Sequence, residues 1–498
     1  MEQFFKSWWF ILSPLAGALS TLAFAPFDLS WLLLLTLAVA FYCWHLLPAK
    51  QAAISGWLFG MGLQCSGVSW IYYSLHVHGS APAVFAILLI FLLCAYLSLY
   101  TGLAAWVVNR FLPDDARLRM LLFYPASWLL FEWLQGYVMT GFAWMQLGYS
   151  QIDSPLAGFA PLIGNHALSV LLGFSAGALV LLVLDNNLRR RTILLVSVLA
   201  LWGVGALLKN TRWTEPSGEA IRVSIIQGNI AQKDKWKASM RQPTKKLYRD
   251  LSLQQKDVDL IVWPETAIPD YLGRVRLYLR EIGLHLKQQD IDLLFGIFHR
   301  NAQGRLLNSV VSMDEGRVSG IYDKRHLVPL GEYIPLRFLI EFFNRFVKIP
   351  MSDIISGEDD QPLITAAGVP IGVSICFEEA FSRDVLKDLP QAAVLLNVSN
   401  DAWFEDSIEP HQHHAIARMR ALETGRYMIR STNTGITSFI DPQGRVVKQL
   451  PQFEVGVLKA EVQPMQGATP YVRWGDWLGV ALSLLVLVVF AVKKVRKS

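Results

Sequence analysis

The chain has 498 residues, of which 53% are apolar and only 17% are charged, and its formal net charge is +5. This length is sufficient for two or more domains, and the apolar excess excludes an ordinary soluble protein. The basic residues do not form a cluster with interleaved aromatic residues, which argues against a nucleic-acid partner.

Long apolar stretches with almost no charge fill roughly the first two hundred residues, and another lies at the end of the chain. A helix crosses the hydrocarbon layer with about 20 mostly apolar residues. We therefore predict about eight transmembrane helices, at roughly 8–26, 29–47, 53–75, 82–109, 118–138, 158–185, 192–209 and 473–493. Ala23–Ala25 resembles a signal-peptide cleavage site, but Pro26 follows it directly, so we interpret the first stretch as an uncleaved helix.

The Lys and Arg residues between these helices fall on one side of the predicted bundle, whereas the alternate loops 76–81 and 139–157 hold almost none. Cytoplasmic loops of membrane proteins are enriched in Lys and Arg. The pattern thus predicts a multi-pass membrane protein with both termini cytoplasmic and the segment between helices seven and eight on the outer side, which for the cytoplasmic (inner) membrane of a bacterium is the periplasm. The residues concerned are Lys6, Lys50, Arg110, Arg117, Arg119, Arg189, Arg190, Arg191, Lys493, Lys494, Arg496 and Lys497.

From about residue 222 the pattern changes to short apolar runs that alternate with amphipathic helices. Fully apolar strands indicate a sheet that is covered on both faces, so this part predicts an α/β layered domain. We predict three domains: a transmembrane helical domain at 1–212, the periplasmic α/β domain at 218–466, and a C-terminal transmembrane helix with a basic tail at 471–498. Strands are predicted at Arg222–Ile226, Leu260–Trp263, Leu293–Ile297, Ser309–Met313, Ile371–Ile375, Val394–Val398, Met428–Ser431, Ile436–Ile440 and Val455–Lys459, and helices at 271–288, 377–388 and 411–426.

Four conspicuous segments of the α/β domain lie at or just after predicted strand ends. They are Trp263–Ala267 with Glu265, Tyr322–Pro329 with Lys324 and the nearby Glu332, Ile371–Glu379 with Cys376, and Asn397–Phe404. Cys376 has no second cysteine in this domain with which to form a disulfide, because Cys43, Cys65 and Cys94 lie in the apolar stretches.

A thiol at a strand-to-helix turn is suited to nucleophilic chemistry, because a helix N-terminus favours the thiolate and offers N–H groups to an oxyanion. A thiol is weakly ionised at neutral pH and needs a base, which Glu265 can provide. Lys324 beside it can stabilise the oxyanion of a tetrahedral intermediate. Taken singly, each residue also has an ordinary interpretation, as a structural cysteine or as a solvated charge.

Together the four segments resemble the carbon–nitrogen hydrolase (nitrilase) superfamily, whose Glu, Lys and Cys occur in these contexts and in this order. The match covers about 222–464. Within this range, Gly331–Pro335 and Asn397–Phe404 make the resemblance more specific. Along its whole length, including Gly141–Gln151, the chain resembles the bacterial apolipoprotein N-acyltransferase family. The resemblance implies a polytopic membrane bundle with an extramembrane nitrilase-like αββα domain.

The resemblance also implies roles for particular residues. Cys376 would be the nucleophile, Glu265 the general base and Lys324 the oxyanion stabiliser. Glu332 would support Lys324, and the backbone amide of Phe377, which stands where some members carry Tyr, would donate to the oxyanion. Further positions that match activity-related positions of the family are Glu378 and Trp236.

The activity implied by the resemblance is the last step of bacterial lipoprotein maturation. The thiol would take an acyl chain from a phospholipid, typically phosphatidylethanolamine, as a thioester and pass it to the α-amine of a diacylglyceryl-cysteine in an apolipoprotein. We expect no metal, no cofactor and a monomer. One alternative is a membrane-tethered nitrilase-like amidase acting on a small soluble substrate, although a tether needs only one helix. Another is a transporter or scaffold whose outer domain only binds, which the complete catalytic set argues against.

The segment Tyr333–Met351 combines apolar and basic residues and directly follows Glu332. We interpret it as a lid that dips into the membrane interface and gates lipid entry. The alternative is an amphipathic helix that closes the domain core. The lid candidates are Phe338, Phe342, Phe343 and Phe346.

Several other polar residues allow two interpretations each. Glu132, inside a predicted transmembrane helix, either contacts a lipid headgroup or braces the bundle. Asn400 and Asp401 either shape the pocket, which we favour, or form an Asx turn. The histidines at 411, 413 and 414 suggest a metal but lack a fourth ligand, so a helix start is favoured. For Arg418, Arg420 and Arg426 we favour a solvated helix face over phosphate binding.

Overall fold

The structure is a computed structural model that describes residues 2–329, 331–333 and 354–496. The chain divides into two compact units. We call Met1–Ile71, Val84–Thr211 and Arg473–Ser498 the helical unit, and Tyr72–Ala83 and Arg212–Val472 the α/β unit.

The helical unit consists of apolar helices joined by short turns. Gly17 and Gly62 allow its first and third helices to pack closely, because a Cβ atom at Gly17 would lie 1.9 Å from the Phe59 carbonyl oxygen. The helices are Glu2–Ser20, Leu32–Leu46, Ala49–Gly67, Ala83–Phe111, Ala116–Leu118, Tyr124–Gln135, Ala160–Leu184, Leu188–Leu208 and Trp477–Val495, with shorter 3₁₀ turns at Thr21–Ala23, Val138–Thr140, Leu147–Gln151 and Pro155–Phe159 and a π-helical turn at Arg119–Phe123.

Among the described residues, four helical segments are long and apolar enough to cross a membrane. They are Ala83–Phe111, Pro155–Leu184, Leu188–Leu208 and Trp477–Val495, and Leu32–Leu46 is apolar but shorter. The predicted helix at 118–138 corresponds to a helical stretch that contains a π-helical turn at Arg119–Phe123 and ends with Tyr124–Gln135. Several apolar helices are therefore present, while the number of membrane crossings stays a prediction.

Glu132 is buried within the helical unit and is held by three donors. Its carboxylate accepts hydrogen bonds from the Leu147 backbone N–H at 2.8 Å, the Ser169 hydroxyl at 2.6 Å and the Trp128 indole at 3.3 Å. A carboxylate in apolar surroundings requires such partners. These contacts favour the bracing interpretation, because Glu132 ties the 139–157 segment to two helices.

The α/β unit contains, in its described part, two six-stranded sheets and a small two-stranded one. The strands are β1 (Glu215–Pro216), β2 (Ile221–Gln227), β3 (Leu260–Val262), β4 (Asp292–Arg300), β5 (Leu306–Asp314), β6 (Arg317–Asp323), β7 (Ile364–Ala366), β8 (Val369–Ile375), β9 (Val394–Ser399), β10 (Met428–Thr432), β11 (Ser438–Ile440), β12 (Val446–Gln449), β13 (Gly456–Val462) and β14 (Met465–Gln466). Every predicted strand overlaps one of these.

The order of strands is β13-β2-β3-β4-β5-β6 in the first sheet and β12-β11-β10-β9-β8-β7 in the second, and β1 pairs with β14. Strands β2, β3 and β4 are parallel, as are β8, β9 and β10. Because β5 is antiparallel to both β4 and β6, strand β6 runs in the same direction as β3. Glu265 and Lys324 therefore follow strand ends at the same edge of the first sheet.

The two large sheets face each other across the main hydrophobic core. This core joins residues of the first sheet, such as Val223 and Leu260, to residues of the second, such as Val373 and Leu396. On the outer face of the first sheet, Leu279 and Ile282 belong to a second cluster, and a third cluster covers the other sheet. The unit is thus built as four layers, helix–sheet–sheet–helix.

The helices of the α/β unit are Gln232–Lys235, Arg241–Leu253, Arg276–Lys287, Ser382–Leu386, Glu409–Thr424 and Pro470–Trp474. The predicted helix at 377–388 was wrong as a single element. Cys376–Ala380 is a 3₁₀ turn, and Phe381 then takes an extended conformation that separates this turn from the helix beginning at Ser382.

Candidate active site

Cys376 stands directly after β8 in a strained conformation, with a φ of +54°. Positive φ is uncommon for residues other than glycine and costs about 1–3 kcal/mol unless neighbouring contacts hold it. Two side chains fix its carbonyl oxygen: the Asn397 amide donates to it at 3.2 Å, and His413 Nε2 lies 3.2 Å away. Only a short 3₁₀ turn follows Cys376, so a helix N-terminus stabilises the thiolate less than the sequence suggested. The charges of nearby side chains therefore matter more for ionisation of the thiol.

Lys324 is 1% exposed and lies between two carboxylates. Its Nζ is 2.9 Å from Glu332 Oε2 and 3.8 Å from Glu265 Oε1. Glu332 is itself held by the Val328 backbone N–H at 2.8 Å. A buried ammonium with such partners stays charged, and although burial alone lowers it, Glu332 and Glu265 raise the pKa of Lys324 above its usual range.

Glu265 reaches this position because β4 leaves room for its loop. Gly296 on β4 has no side chain, and a Cβ atom there would lie 2.6 Å from the Glu265 Cα atom. Burial raises the pKa of the Glu265 carboxyl, and Lys324 opposes that rise. Burial beside a charged partner is the kind of environment in which catalytic carboxylates occur.

Asn308, on β5, joins the two carboxylates and was not predicted from the sequence. Its Nδ2 donates to Glu265 Oε1 at 2.8 Å and to Glu332 Oε1 at 3.1 Å, and the residue is 2% exposed. One amide therefore fixes the two acidic groups on either side of Lys324. The residues lie far apart in the chain, so no local signal pointed to this contact.

The thiol of Cys376 lies within electrostatic reach of these groups. Burial and then the Glu265 carboxylate raise the pKa of the Cys376 thiol to about 12, while Lys324 and His413 lower it. A thiol in this environment is largely protonated at neutral pH. It therefore requires a base such as Glu265 rather than spontaneous ionisation.

Glu378 joins the segment that carries Lys324 to the segment that carries Cys376. Its carboxylate accepts hydrogen bonds from the backbone N–H groups of Arg325 at 2.5 Å, His326 at 2.9 Å and Ile375 at 2.7 Å. The Tyr322 hydroxyl donates to it at 3.1 Å. Burial raises the pKa of the Glu378 carboxyl to about 7, against the effect of Lys324 and these N–H donors.

Two aromatic residues near the predicted site residues in the chain, Trp236 and Phe377, pack against other rings. Trp236 is 38% exposed and stacks on Phe298 of β4 with ring centroids 5.8 Å apart. Phe377 is buried and packs edge-to-face against Phe381 at 5.0 Å. Next to Trp236, the buried Lys235 donates from Nζ to the Glu265 carbonyl oxygen at 3.3 Å, so the Trp236 loop is tied to the Glu265 loop.

Asn400 and Asp401 follow β9 and bind other parts of the fold. The Asn400 amide donates to Gln232 Oε1 at 2.8 Å and accepts from Asn433 at 2.9 Å. Asp401 pairs with Arg430 at 3.2 Å, and although burial opposes it, Arg430 and His413 hold the pKa of Asp401 well below its usual range. Asn400 thus anchors the loop that carries Trp236. Asp401 belongs to a cluster of buried charges that includes Arg430 and His413.

The histidine and arginine interpretations need one correction. Arg420 and Arg426 are buried and not on a solvated helix face, with Arg426 donating to the carbonyl oxygens of Ala392 and Gly467.

His413 lies with Asp401 and Glu409, and the oxygen and nitrogen atoms that could bind a metal are within 4.8 Å of one another. Arg430 already pairs with Asp401, and its positive charge would repel a metal ion, so this donor set does not fit one.

The lid candidates Phe338, Phe342, Phe343 and Phe346 lie outside the described residues. Of the predicted site residues that are described, Glu265 and Glu332 are buried against Lys324, the partly buried Cys376 lies within electrostatic range of Glu265 and Lys324, and Glu378 links the Lys324 and Cys376 segments. A thiol near a buried carboxylate and a buried ammonium, on a four-layer α/β scaffold, is an arrangement suited to covalent acyl chemistry.

Comparison with known families gives the same class. Residues 222–471 match the carbon–nitrogen hydrolase family, and residues 16–178 match the apolipoprotein N-acyltransferase N-terminal domain. The apolipoprotein N-acyltransferase of Methylococcus capsulatus is 42% identical over 95% of this chain and 94% of its own length. Those of Azotobacter vinelandii and Vibrio cholerae are 44% and 39% identical, over 96% and 95% of this chain and 93% and 96% of their own lengths.

The chain therefore belongs to the apolipoprotein N-acyltransferase family, whose catalytic part is a carbon–nitrogen hydrolase domain. It is an acyltransferase enzyme of the membrane, as the resemblance implied.

Proposed function

We propose that this enzyme moves an acyl chain from a membrane phospholipid to the α-amine of a diacylglyceryl-cysteine at the N-terminus of an apolipoprotein, through a thioester on Cys376. The observation that carries the proposal is the placement of the thiol within reach of the Glu265 carboxylate and the Lys324 ammonium. The acyl chain can then pass from the donor ester to Cys376 and from Cys376 to the acceptor amine, without a metal or cofactor.

In the first half-reaction, Glu265 takes the proton of the Cys376 thiol as the sulfur attacks the ester carbonyl of the phospholipid. The tetrahedral oxyanion is stabilised by the Lys324 ammonium and by the Phe377 backbone N–H. The carbon–oxygen bond then breaks, and the glycerol oxygen takes the proton back from Glu265. A lysophospholipid leaves, and the acyl chain stays on sulfur as a thioester.

In the second half-reaction, the α-amine of the acceptor attacks the thioester, and Glu265 takes a proton from it. The same groups stabilise the second oxyanion, the carbon–sulfur bond breaks, and the thiol is restored when the proton returns to sulfur. Glu332 and Asn308 hold Lys324 and Glu265 in place through both steps. Glu378 keeps the Lys324 and Cys376 segments together, while Asn400 anchors the loop that carries Trp236.

The apolar helices support a membrane site for this reaction, because both substrates carry acyl chains. Exposing a chain to water costs about 0.8 kcal/mol per CH₂, so the thiol has to act next to the bilayer surface. We propose eight transmembrane helices, cytoplasmic termini, a periplasmic α/β domain and a monomer that takes its acyl chain from phosphatidylethanolamine. The one-sided distribution of Lys and Arg supports the orientation.

The test is intact-mass analysis of the purified enzyme after exposure to phosphatidylethanolamine vesicles. Wild type should gain the mass of one acyl chain as a hydroxylamine-labile adduct, and Cys376→Ser should form no thioester. Cys65→Ser, a matched change at a half-buried thiol of the helical unit, should behave as wild type.

Addition of a diacylated lipopeptide should then remove the adduct and acylate the peptide's α-amine. A labile adduct that persists in Cys376→Ser would rule out this nucleophile. Release of the chain as free fatty acid, with no acylated peptide, would point to a hydrolase instead of a transferase.

A further inference from the structure

His413 lies on helix Glu409–Thr424, 1% exposed, and both of its ring nitrogens face acceptor oxygens. Nδ1 is 3.2 Å from Asp401 Oδ1 and 3.3 Å from Glu409 Oε1. Nε2 is 3.0 Å from Glu379 Oε1 and 3.2 Å from the Cys376 carbonyl oxygen. A neutral imidazole has only one N–H, so it would leave one nitrogen lone pair against a carboxylate.

The ring is therefore an imidazolium that donates from both sides. Although burial and Arg430 oppose it, Glu379 and Asp401 raise the pKa of His413 well above its usual range. Its charged surroundings come from four elements: Glu409 from its own helix, Glu379 from the turn after Cys376, Asp401 from the turn after β9, and Arg430 from β10.

Arg430 completes the cluster by binding Glu379 and Asp401, and its guanidinium also donates to Asn397 Oδ1 at 2.9 Å. Asn397 in turn donates to the Cys376 carbonyl oxygen. Both donors to that carbonyl, His413 and Asn397, are thus fixed by the same buried ion pairs. This gives the strained backbone of Cys376 a rigid support.

We propose that His413 is a positioning residue that acts through Cys376: as a permanent cation it holds the nucleophile's carbonyl oxygen and favours the thiolate over the thiol. The inference rests on the proposed role of Cys376 as nucleophile. The Glu265 and Asp401 carboxylates disfavour ionisation of this thiol. The positive charges of His413 and Lys324 both favour it.

His414 provides a matched control on the same helix. It is buried like its neighbour but lies 3.0 Å from the neutral Ser438 hydroxyl, and burial and then Arg430 and Arg418 lower its pKa well below the usual range. It therefore carries no charge, and its replacement changes the size of a buried histidine without changing the charge behind Cys376.

The experiment compares four full-length proteins in detergent: wild type, His413→Gln, His413→Lys and His414→Gln. The rate of iodoacetamide alkylation at Cys376 is followed by peptide mass spectrometry from about pH 6 to about pH 10. Because His413→Gln keeps a donor but removes the charge, the pKa of the Cys376 thiol, which already lies above this pH range, should rise further, and alkylation should be about tenfold slower at every pH measured. His413→Lys and His414→Gln should stay within about threefold of wild type.

In the acyl-transfer assay, His413→Gln should lower the rate of thioester formation by a similar factor and leave KM for phospholipid unchanged. A profile of His413→Gln that superimposes on that of His414→Gln overturns the proposal, and so does a His413→Lys profile as slow as that of His413→Gln. The unfolding temperature is measured for each variant. If His413→Gln cannot be obtained as a folded protein, His413→Lys tests the proposal on its own. The proposal requires that a cation at this position preserves the wild-type alkylation profile.

Failure of the underlying function has a different signature. If Cys376 is not the nucleophile, Cys376→Ser retains acyl transfer whatever the alkylation rates show. If only the role of His413 is wrong, Cys376→Ser abolishes thioester formation while His413→Gln alkylates as the control does.

Discussion

Replacement of Asn308 by alanine tests whether the bridge between the two acidic groups supports catalysis. The change removes two hydrogen bonds to carboxylates, of 2.8 Å to Glu265 and 3.1 Å to Glu332. Hydrogen bonds to charged groups contribute about 1.5–3 kcal/mol each. If water entering the space left by the side chain restores about half of the sum, about 1.5–3 kcal/mol is lost, which corresponds to a rate about 10 to 150 times lower.

The loss should depend on pH in a defined direction. Asn308 helps to lower the pKa of Glu265, so its removal raises that pKa beyond the rise already caused by burial. The base is active when ionised, and a higher pKa moves the ascending limb of the rate profile to higher pH. Asn308→Ala should therefore recover part of its activity as the pH rises.

The assay is the initial rate of lysophospholipid release from vesicles, measured as a function of pH. Ser312→Ala is the control, because Ser312 lies on the same strand and its hydroxyl bonds to neutral groups, the Ser319 hydroxyl and the Thr365 carbonyl oxygen. A rate for Asn308→Ala within about twofold of this control, with the same pH profile, would refute the argument that the bridge sustains the base.

Two further changes probe the support of the site. Glu378→Ala leaves the backbone N–H groups of Arg325, His326 and Ile375 without their acceptor, so the free energy of unfolding should fall by about 3–5 kcal/mol, and an unchanged urea midpoint would contradict this. Gly425→Ala should cost about 1–3 kcal/mol in the same measurement, because φ is +63° and the new Cβ would lie 2.7 Å from Thr214 Cγ2. Gly304→Ala, also at positive φ but with no atom within 4 Å, should cost less.

The interior strands were predictable from the sequence, whereas most edge strands were not. Strands β3, β8 and β9 are mostly apolar and almost fully buried, because both of their faces are covered. The strands that were missed lie at sheet edges and carry exposed residues; they are β1, β6, β7, β12 and β14. Edge strands bury fewer side chains, so their sequence lacks the apolar run by which the others were found.

Helix Arg241–Leu253 was missed for a related reason. Its buried residues are Thr244, Tyr248 and Ser252, spaced by four and mostly polar. They form a stripe only one residue wide, which gives no apolar periodicity. The helix at 377–388 was extended too far because nothing in the local sequence marks the extended conformation of Phe381.

The site residues divide in the same way. Glu265, Lys324 and Cys376 could be proposed because each follows a strand end within a recognisable segment. Asn308 and His413 could not, since the importance of each comes from partners far away in the chain. An asparagine or a histidine has no local pattern that reveals a distant carboxylate, and the histidine group suggested a metal or a helix start.

The buried charges around the sulfur form two groups with a common consequence. One group contains Lys324, Glu265 and Glu332, and the other contains His413, Arg430, Glu379, Asp401 and Glu409. In a buried region each charge acts over a longer range than at the surface, because water does not screen it. The ionisation of one thiol therefore reflects the sum of both groups. Neutralising a residue that never touches substrate should change the rate through Cys376, while a surface charge at a similar distance should not.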